Sequence, residues 1–368
     1  MKTEVQPALL GLDIQELTAL VEKCGEPPYR GRQLFQAIYS ERLESPLEIL
    51  TLPQEFRRAL LEQGYEIGQP AIQKRFVSVD GTVRYLMSFS DGESVETVWM
   101  PEGDQGEAGD GSEAGDEEEK GRGRQRATIC VSSQVGCAVG CEFCLTAQLG
   151  VKRNLTAGEI VGQIIAVLND QKGFPGRERL NLVFMGMGEP LLNFDNFMKA
   201  VRLLVEGVGV PAARMTVSTA GIVPRIYDLG REAVRPKLAI SLNASNDELR
   251  SRLMPLNRKW NLQKVLEAAR EFPLKNRERL TFEYVLLAGV NDAVENAREL
   301  LERVRGMRAK VNLIALNPGP GIDFATPEEK RVMAFQRVLV SGGVATYIRR
   351  PRGRDIYAAC GQLKRTSN

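Results

Sequence analysis

Beyond residue 126 the sequence alternates short strand-like runs with amphipathic helical stretches, and this alternation limits the possible folds more than any other feature of the chain. The strand-like runs are RATICVSS, NLVFMG, RMTVSTA, KLAISLN, LTFEYVLL, KVNLIAL and VATYIRR. The segments between them repeat their apolar residues at the helical period. Thr156 with Glu159 and Ser245 with Glu248 have the spacing of capping boxes, and Asn193, Asp292 and Thr326 stand at expected helix starts. Repeated strand-helix units imply an α/β fold built on a parallel sheet or a partial (β/α) barrel, because each return to a parallel strand needs a crossover. Functional residues of such folds gather at the C-terminal strand ends, where GMGE, STA, SLN and LNPG fall.

The first hundred residues have two other periodicities. LLGLDIQELTALVEKC, RGRQLFQAIY and EFRRALLEQ are helical and are divided by Pro27, Pro28, Pro46 and Pro53. AIQKRFVSV, TVRYLMSFS and SVETVWM are strand-like and joined by Asp80-Gly81 and Asp91-Gly92, both strong hairpin signals. Residues 101 to 126 hold seven Gly and no Leu, Ile, Val or Phe, so this acidic, Gly-rich insertion is expected to be disordered. The expected organisation is a small helical N-terminal domain (1–68), a β-hairpin unit leading into the core (69–100), the insertion (101–126), the barrel (127–350) and a C-terminal segment (351–368).

The chain contains no histidine. That excludes a Ser-His-Asp triad, a Cys-His dyad and any zinc site with His ligands, and leaves acid-base work to Glu, Asp, Lys, Cys or Tyr. At 43% hydrophobic residues there is enough apolar side chain for ordinary cores. The net charge of +2 hides a segregation: residues 101–120 carry nine acids and one Lys, whereas residues 349–368 carry six Lys or Arg and one Asp. A basic end is consistent with a polyanionic partner. The N-terminal stretch MKTEVQPALLGLDIQEL interrupts its apolar residues too early for a signal or membrane segment, so a cytoplasmic protein with no membrane partner is expected.

Four of the six cysteines fall between Cys130 and Cys144. Cys137, Cys141 and Cys144 form C-x3-C-x2-C. A zinc ion would need a fourth ligand from Cys130, a distant Cys or a carboxylate. Three thiolates on a 4Fe-4S cluster instead leave one iron open to a substrate. Taken alone, Cys24 reads as packing, Glu96 as an exposed strand acid, and GMGEP as an ordinary strand-to-helix turn.

Beyond this motif, CVSSQVGCAVGCEFCLTAQLGVKRNLTAGEIVGQI, LVFMGMGEPLLN, TVSTAG, AISLNASND, FEYVLLAGVND, NLIALNPGPG and RGRDIYAACGQL resemble the RlmN-type adenine-C2 RNA methyltransferases of the radical SAM superfamily. The resemblance runs from about Tyr29 to Leu363 and is interrupted by the acidic insertion. It implies a radical SAM barrel with one 4Fe-4S cluster on Cys137, Cys141 and Cys144, and two S-adenosylmethionine molecules used per turnover. It further implies Cys360 as methyl carrier, Cys130 as the thiol that resolves a protein-RNA adduct through a transient disulfide with Cys360, and Glu96 as proton acceptor. The implied SAM contacts are Gly188, Glu189, Ser218, Ser241, Leu242, Asn243 and Asn317; family members commonly carry His where Asn243 stands. The implied substrates are an adenine of large-subunit ribosomal RNA and the adenine beside the anticodon of some tRNAs. A Cfr-like enzyme acting on carbon 8 is the alternative. A flavodoxin or ferredoxin would donate electrons, Arg30, Arg32, Arg349, Arg350, Arg352 and Arg354 are candidates for phosphate contacts, and a monomer is expected.

Overall fold

The computed structural model describes residues 8–101, 126–172, 180–359 and 361–363. The acidic insertion and Cys360 therefore lie outside the described residues, apart from Pro101 and Arg126 at the ends of the insertion.

The helical N-terminal region consists of α1 (Ile14–Lys23), α2 (Tyr29–Phe35) and α3 (Gln54–Glu62). Asp13 caps α1 in a reciprocal box with Glu16, and the apolar stripe of α1 buries Leu17 and Val21. Helix α2 runs into a wider turn that ends at Arg42 in the left-handed region. Buried Tyr39 from this turn accepts from Gly11 N at 2.9 Å and donates to Leu12 O at 2.7 Å, which ties the entry loop to the helices.

Three hairpin strands follow, β1 (Ala71–Val77), β2 (Val83–Ser88) and β3 (Ser94–Pro101), and then β4 (Ala127–Cys130). A separate two-stranded ribbon pairs β5 (Gln134–Gly136) with β6 (Val151–Asn154). The repeating units are α4 (Ala157–Asp170), β7 (Leu180–Phe184), α5 (Phe194–Leu203), β8 (Met215–Thr219), α6 (Val223–Arg231), β9 (Lys237–Ser241), α7 (Asp247–Leu253), α8 (Leu262–Glu271), β10 (Leu280–Leu286), α9 (Val294–Val304), β11 (Ala309–Ala315), α10 (Glu329–Ser341) and β12 (Ala345–Arg349). Every strand-like run named from the sequence is a strand.

All strands but the ribbon form one sheet in the order β1-β2-β3-β4-β7-β8-β9-β10-β11-β12. Pairing is antiparallel from β1 to β4 and parallel from β4 to β12. The hairpin unit is thus continuous with the barrel sheet, and its residues share a core with the helical region and the barrel. The sheet curls: after β12, Gly353 N donates to Asp80 Oδ2 at 3.0 Å and Ser78 Oγ donates to Asp355 Oδ1 at 2.5 Å, so the chain leaving the last strand meets the β1–β2 turn at the opposite edge. Among the described residues no helix is long and apolar enough to cross a membrane.

Several expected caps are placed differently. The Thr156–Glu159 box caps α4 as read. Helix α7 is capped by Asn246, whose side chain accepts from Leu249 N, while Ser245 Oγ donates to Glu299. Asn193 precedes α5 but spends its amide on Ser133 O and Leu155 O. Asp292 pairs with Arg331, and Thr326 donates to Leu316 O; neither caps a helix. In each case a tertiary partner outcompetes the local backbone for the polar side chain.

The insertion joins two strands whose ends already pair, Pro101 opposite Ala127. The sheet therefore holds the ends of this loop together whatever its length, and closure entropy varies only slowly with length. Deleting residues 103–121 is expected to leave the circular dichroism spectrum unchanged and to stabilise the protein by about 1 kcal/mol, measured by thermal melting; loss of cooperative unfolding would refute this account.

Candidate active site

Alternation along each strand decides which side chains face the concave side of the sheet. Phe282, Tyr284, Val311 and Leu313 belong to the main core, and the Tyr284 ring packs against Phe335 of α10, so these residues face the helices. Glu283, Asn312 and their register partners Ser241 and Tyr347 consequently face inward. The same logic places Cys130 and its partner Val98 inward, because Ile129 and its partner Leu182 face out. Glu96, two residues from Val98, shares that face, as does its partner Leu86. Glu96, Cys130, Ser218 and Ser241 are thus brought to one surface, and the Ser218 and Ser241 hydroxyls lie 3.2 Å apart.

Cys137, Cys141 and Cys144 occupy the loop between β5 and β6. The neck of this loop is closed by Cys137 N donating to Gly150 O at 2.9 Å. Gly136 has φ +82°, and a Cβ there would sit 1.7 Å from Gly150 O, so only glycine permits the closure. The stem is fixed to the β2–β3 turn by Arg153 bound to Asp91 and Lys152 bound to Glu93, and to α4 by Arg153 bound to Glu159. An apolar shell of Val139, Phe143, Ala220, Leu253, Met254, Leu287 and Leu316 surrounds the three thiols. Four of these residues follow C-terminal ends of β8, α7, β10 and β11, so the loop docks at the expected end of the barrel.

Burial pushes the Cys137 thiol up to about 12, with the nearby Cys144 and Glu189 adding to the effect. Burial likewise raises Cys141 and Cys144. Three partly buried thiols near one another become thiolates only when a cationic centre offsets their charge. Among the described residues no three Cys, Asp or Glu side chains converge tightly enough to chelate a single metal ion. A cubane cluster does not need that convergence, because it distributes its thiolates over separate irons, and the donor set fits it.

Gly188 leaves β7 with φ +102°, in contact with Gln134; a Cβ there would lie 2.6 Å from Gln134 Cβ. Glu189 is buried, its carboxylate accepting from Ala220 N at 2.7 Å and from Leu191 N at 3.1 Å. Burial nonetheless pushes it up to about 7, so it is poised for a cation. Leu242 donates its N–H to Glu283 O at 3.0 Å. Asn243 adopts φ +56°; its side chain accepts from Val285 N at 2.9 Å and its carbonyl accepts from Asn291 Nδ2 at 2.9 Å. Asn tolerates this left-handed conformation better than His, which accounts physically for the residue found here. Asn317 follows β11, and its carbonyl accepts from Gln362 Nε2 at 3.3 Å.

Glu96 differs from the exposed acid its isolated sequence suggests: it is fully buried and ion-paired with equally buried Arg84, which stacks 4.0 Å from the Phe76 ring centroid. Arg349 also turns inward, 3.6 Å from Glu283 and in contact with Met185, away from the surface position a phosphate contact would need. Cys24 packs partly buried against the core. Gly361, beside the undescribed Cys360, accepts from Leu145 N at 2.8 Å, one residue after Cys144.

Sequence reasoning missed Arg250. It is fully buried, and its guanidinium donates to Ala220 O at 2.6 Å, Leu242 O at 3.1 Å and Asn257 Oδ1 at 2.9 Å. Burial lowers it to about 10. The readable signal is a cation three residues before Leu253 on the inward stripe of α7.

Comparison with known proteins accords with this geometry. The model of the radical SAM superfamily matches residues 131–301. The chain is 64% identical over 94% of its length, and 98% of the relative, to the probable dual-specificity RNA methyltransferase RlmN of Koribacter versatilis. It is 44% identical to the RlmN of Syntrophobacter fumaroxidans over 95% of this chain and 96% of that one. The crystal structure of a radical SAM methyltransferase from Sphaerobacter thermophilus superposes with a TM-score of 0.87 at 40% identity, covering 98% of this chain and 99% of that one.

Because Glu189 is raised on folding, its contribution to stability is present below the ordinary Glu range near 4.5 and lost as pH rises through about 7. Without S-adenosylmethionine, the stability of wild type relative to Glu189→Gln is expected to fall by on the order of 3 kcal/mol between pH 4.5 and 7.5. Denaturant titration of both proteins across that range checks it; parallel pH profiles would show that Glu189 is not desolvated.

Proposed function

The chain belongs to the RlmN family of radical SAM RNA methyltransferases, and from that premise we propose that it methylates carbon 2 of an adenine in 23S ribosomal RNA and of the adenine beside the anticodon in some tRNAs. The family implies a 4Fe-4S cluster and S-adenosylmethionine. The observation that carries the finer reading is the common inward face of Glu96 and Cys130 on the adjacent strands β3 and β4, in a barrel whose cysteine loop is walled off by apolar side chains.

In this reading Cys137, Cys141 and Cys144 hold the cluster, which when bound supplies the electron that cleaves S-adenosylmethionine reductively. A flavodoxin or ferredoxin would deliver that electron to the protein. Glu189 takes the methionine ammonium, whose positive charge returns the carboxyl to its ordinary acidity. Gly188, Ser218, Ser241, Leu242, Asn243 and Asn317 complete the cofactor's surroundings.

Carbon 2 of adenine is electron-poor, so a polar methyl transfer to it lacks driving force and a radical route removes the obstacle. Cys360 accepts a methyl group from one S-adenosylmethionine and gives up a hydrogen atom from that methyl after cleavage of a second. The carbon radical so formed adds to carbon 2 and joins protein to RNA, and the adduct radical gives up one electron, for which the bound cluster would be the acceptor. Glu96 takes the ring proton, with Arg84 compensating its charge inside the apolar wall. Cys130 then forms a disulfide with Cys360, and the broken carbon–sulfur bond leaves its electron pair on the carbon that becomes the new methyl. The contact of Gly361 with the cysteine loop supports this use of the C-terminal segment. The target base must leave its stack to enter the barrel, which favours loop or single-stranded RNA.

The Cys130→Ala protein purified from cells is expected to carry RNA bonded at Cys360, seen as intact mass before and after ribonuclease treatment, while Cys137→Ala carries neither cluster nor adduct. Normal turnover by Cys130→Ala would remove Cys130 from the resolving role. Nucleosides from RNA modified by the wild type should co-elute with 2-methyladenosine; co-elution with the 8-methyl isomer would transfer the chemistry to carbon 8.

A further inference from the structure

Two buried acceptors on the concave face have no donor. Glu283 of β10 and Asn312 of β11 are register partners, 4% and 0% exposed, and Glu283 Oε1 accepts from Asn312 Nδ2 at 3.0 Å. Glu283 Oε2 and Asn312 Oδ1 are each enclosed without a hydrogen-bond partner. A buried acceptor left unmade costs stability, so a pair of them side by side in a well-formed sheet calls for a ligand that donates. Their row continues through Ser241, the register partner of Glu283, to Ser218, whose hydroxyl lies 3.2 Å from that of Ser241. The orphan pair therefore adjoins the residues assigned above to the cofactor's surroundings, and neither of its members appears among the residues read from the sequence.

We propose that Glu283 Oε2 and Asn312 Oδ1 form the subsite that grips the exocyclic amino group of the target adenine. This deepens, and rests on, the adenine-methylating reading above. The amino group of adenine carries two N–H donors, and its lone pair is delocalised into the ring, so it donates without needing to accept. Two acceptors with no spare donor complement it. The 6-oxo group of guanine or hypoxanthine would set an acceptor against a carboxylate and be rejected. Held by this edge, the base keeps carbon 2 free to face the methyl carrier. The ribose hydroxyls of S-adenosylmethionine also donate, but each accepts as well, and the donors beside the pair, Asn312 Nδ2 and the Arg349 guanidinium 3.6 Å from Glu283 Oε1, are turned to Glu283.

The test uses reconstituted holoenzyme and an RNA transcript that it methylates, made with either adenosine or purine riboside, which lacks the amino group, at the target position. Wild type should prefer adenosine by about 10- to 100-fold in kcat/KM, the range for one hydrogen bond to a charged acceptor. In Glu283→Gln that preference should shrink to about threefold or less, with reductive cleavage of S-adenosylmethionine within about twofold of wild type. The electronic effect of removing the amino group is common to both proteins and cancels in the ratio. A preference unchanged by Glu283→Gln overturns the inference, as does a wild type that treats both transcripts equally. Weakened S-adenosylmethionine binding with the preference intact assigns the pair to the cofactor's ribose and also overturns it. A wild type inert toward the adenosine transcript overturns the adenine reading itself.

Discussion

The antiparallel pairing of β3 with β4 is the joint on which the rest of the site depends. Its register sets Val98 opposite Cys130, and by alternation turns Glu96 to the same face. A slip of one residue would send Glu96 outward among the helices and bring Thr97, which donates to Gln163 at 2.8 Å, inward. The register is pinned from both sides. Ser132 Oγ donates to Glu96 O at 2.6 Å and accepts from Met187 N at 2.9 Å, while Gln163 binds both N and O of Ser132. The exit of β4, the middle of β3 and the exit of β7 are thereby locked to one another. The cysteine loop inherits this order because its stem is clamped to the β2–β3 turn through Arg153 and Lys152.

Buried charge recurs where strands stop. A sheet ends with carbonyls that have no further strand to bond, and at the C-terminal ends of β8 and β9 those of Ala220, Ser241 and Leu242 all point to one guanidinium, that of Arg250. A hydrophobic residue of the same size would fill the space but leave these acceptors unmade. Arg235 does similar work at the other end of the barrel, bound to Glu278 and to Pro236 O. Desolvation makes such pairs poor sources of net stability. The value of Arg250 is positional: it holds irregular backbone at the ends of β8 and β9 in one geometry.

Strand positions were legible because runs such as KLAISLN and KVNLIAL combine β-branched residues with short length and polar boundaries, and the parallel order follows from the helices between them. The C-x3-C-x2-C motif was legible because its ligands are local. What escaped was every feature that depends on a partner distant in sequence. Glu96 is a buried ion pair only because a hairpin folds Arg84 across from it. Ser245 loses its capping role to Asn246 because Glu299, far along the chain, claims its hydroxyl. Arg349 looks like part of a basic surface run, yet Glu283 draws it inside. Glu283 and Asn312 sit in strand runs whose hydrophobic character hid them, and only the register of β10 against β11 shows them side by side.

One face of one sheet thus serves two opposed requirements. Thiolates and carbon radicals need water kept away, and the shell from Val139 to Leu316 does this with side chains borrowed from several strand ends. The same concave face also carries polar groups in fixed places, the row from Ser218 through Ser241 and Glu283 to Asn312 in adjacent strands. The two regions can lie beside each other because period-two alternation lets each strand carry apolar residues toward the helices while its inward residues are chosen one by one. The parallel arrangement adds the remaining constraint: all strands from β7 to β12 end on the same side, so the polar row and the apolar shell are stacked along the barrel axis.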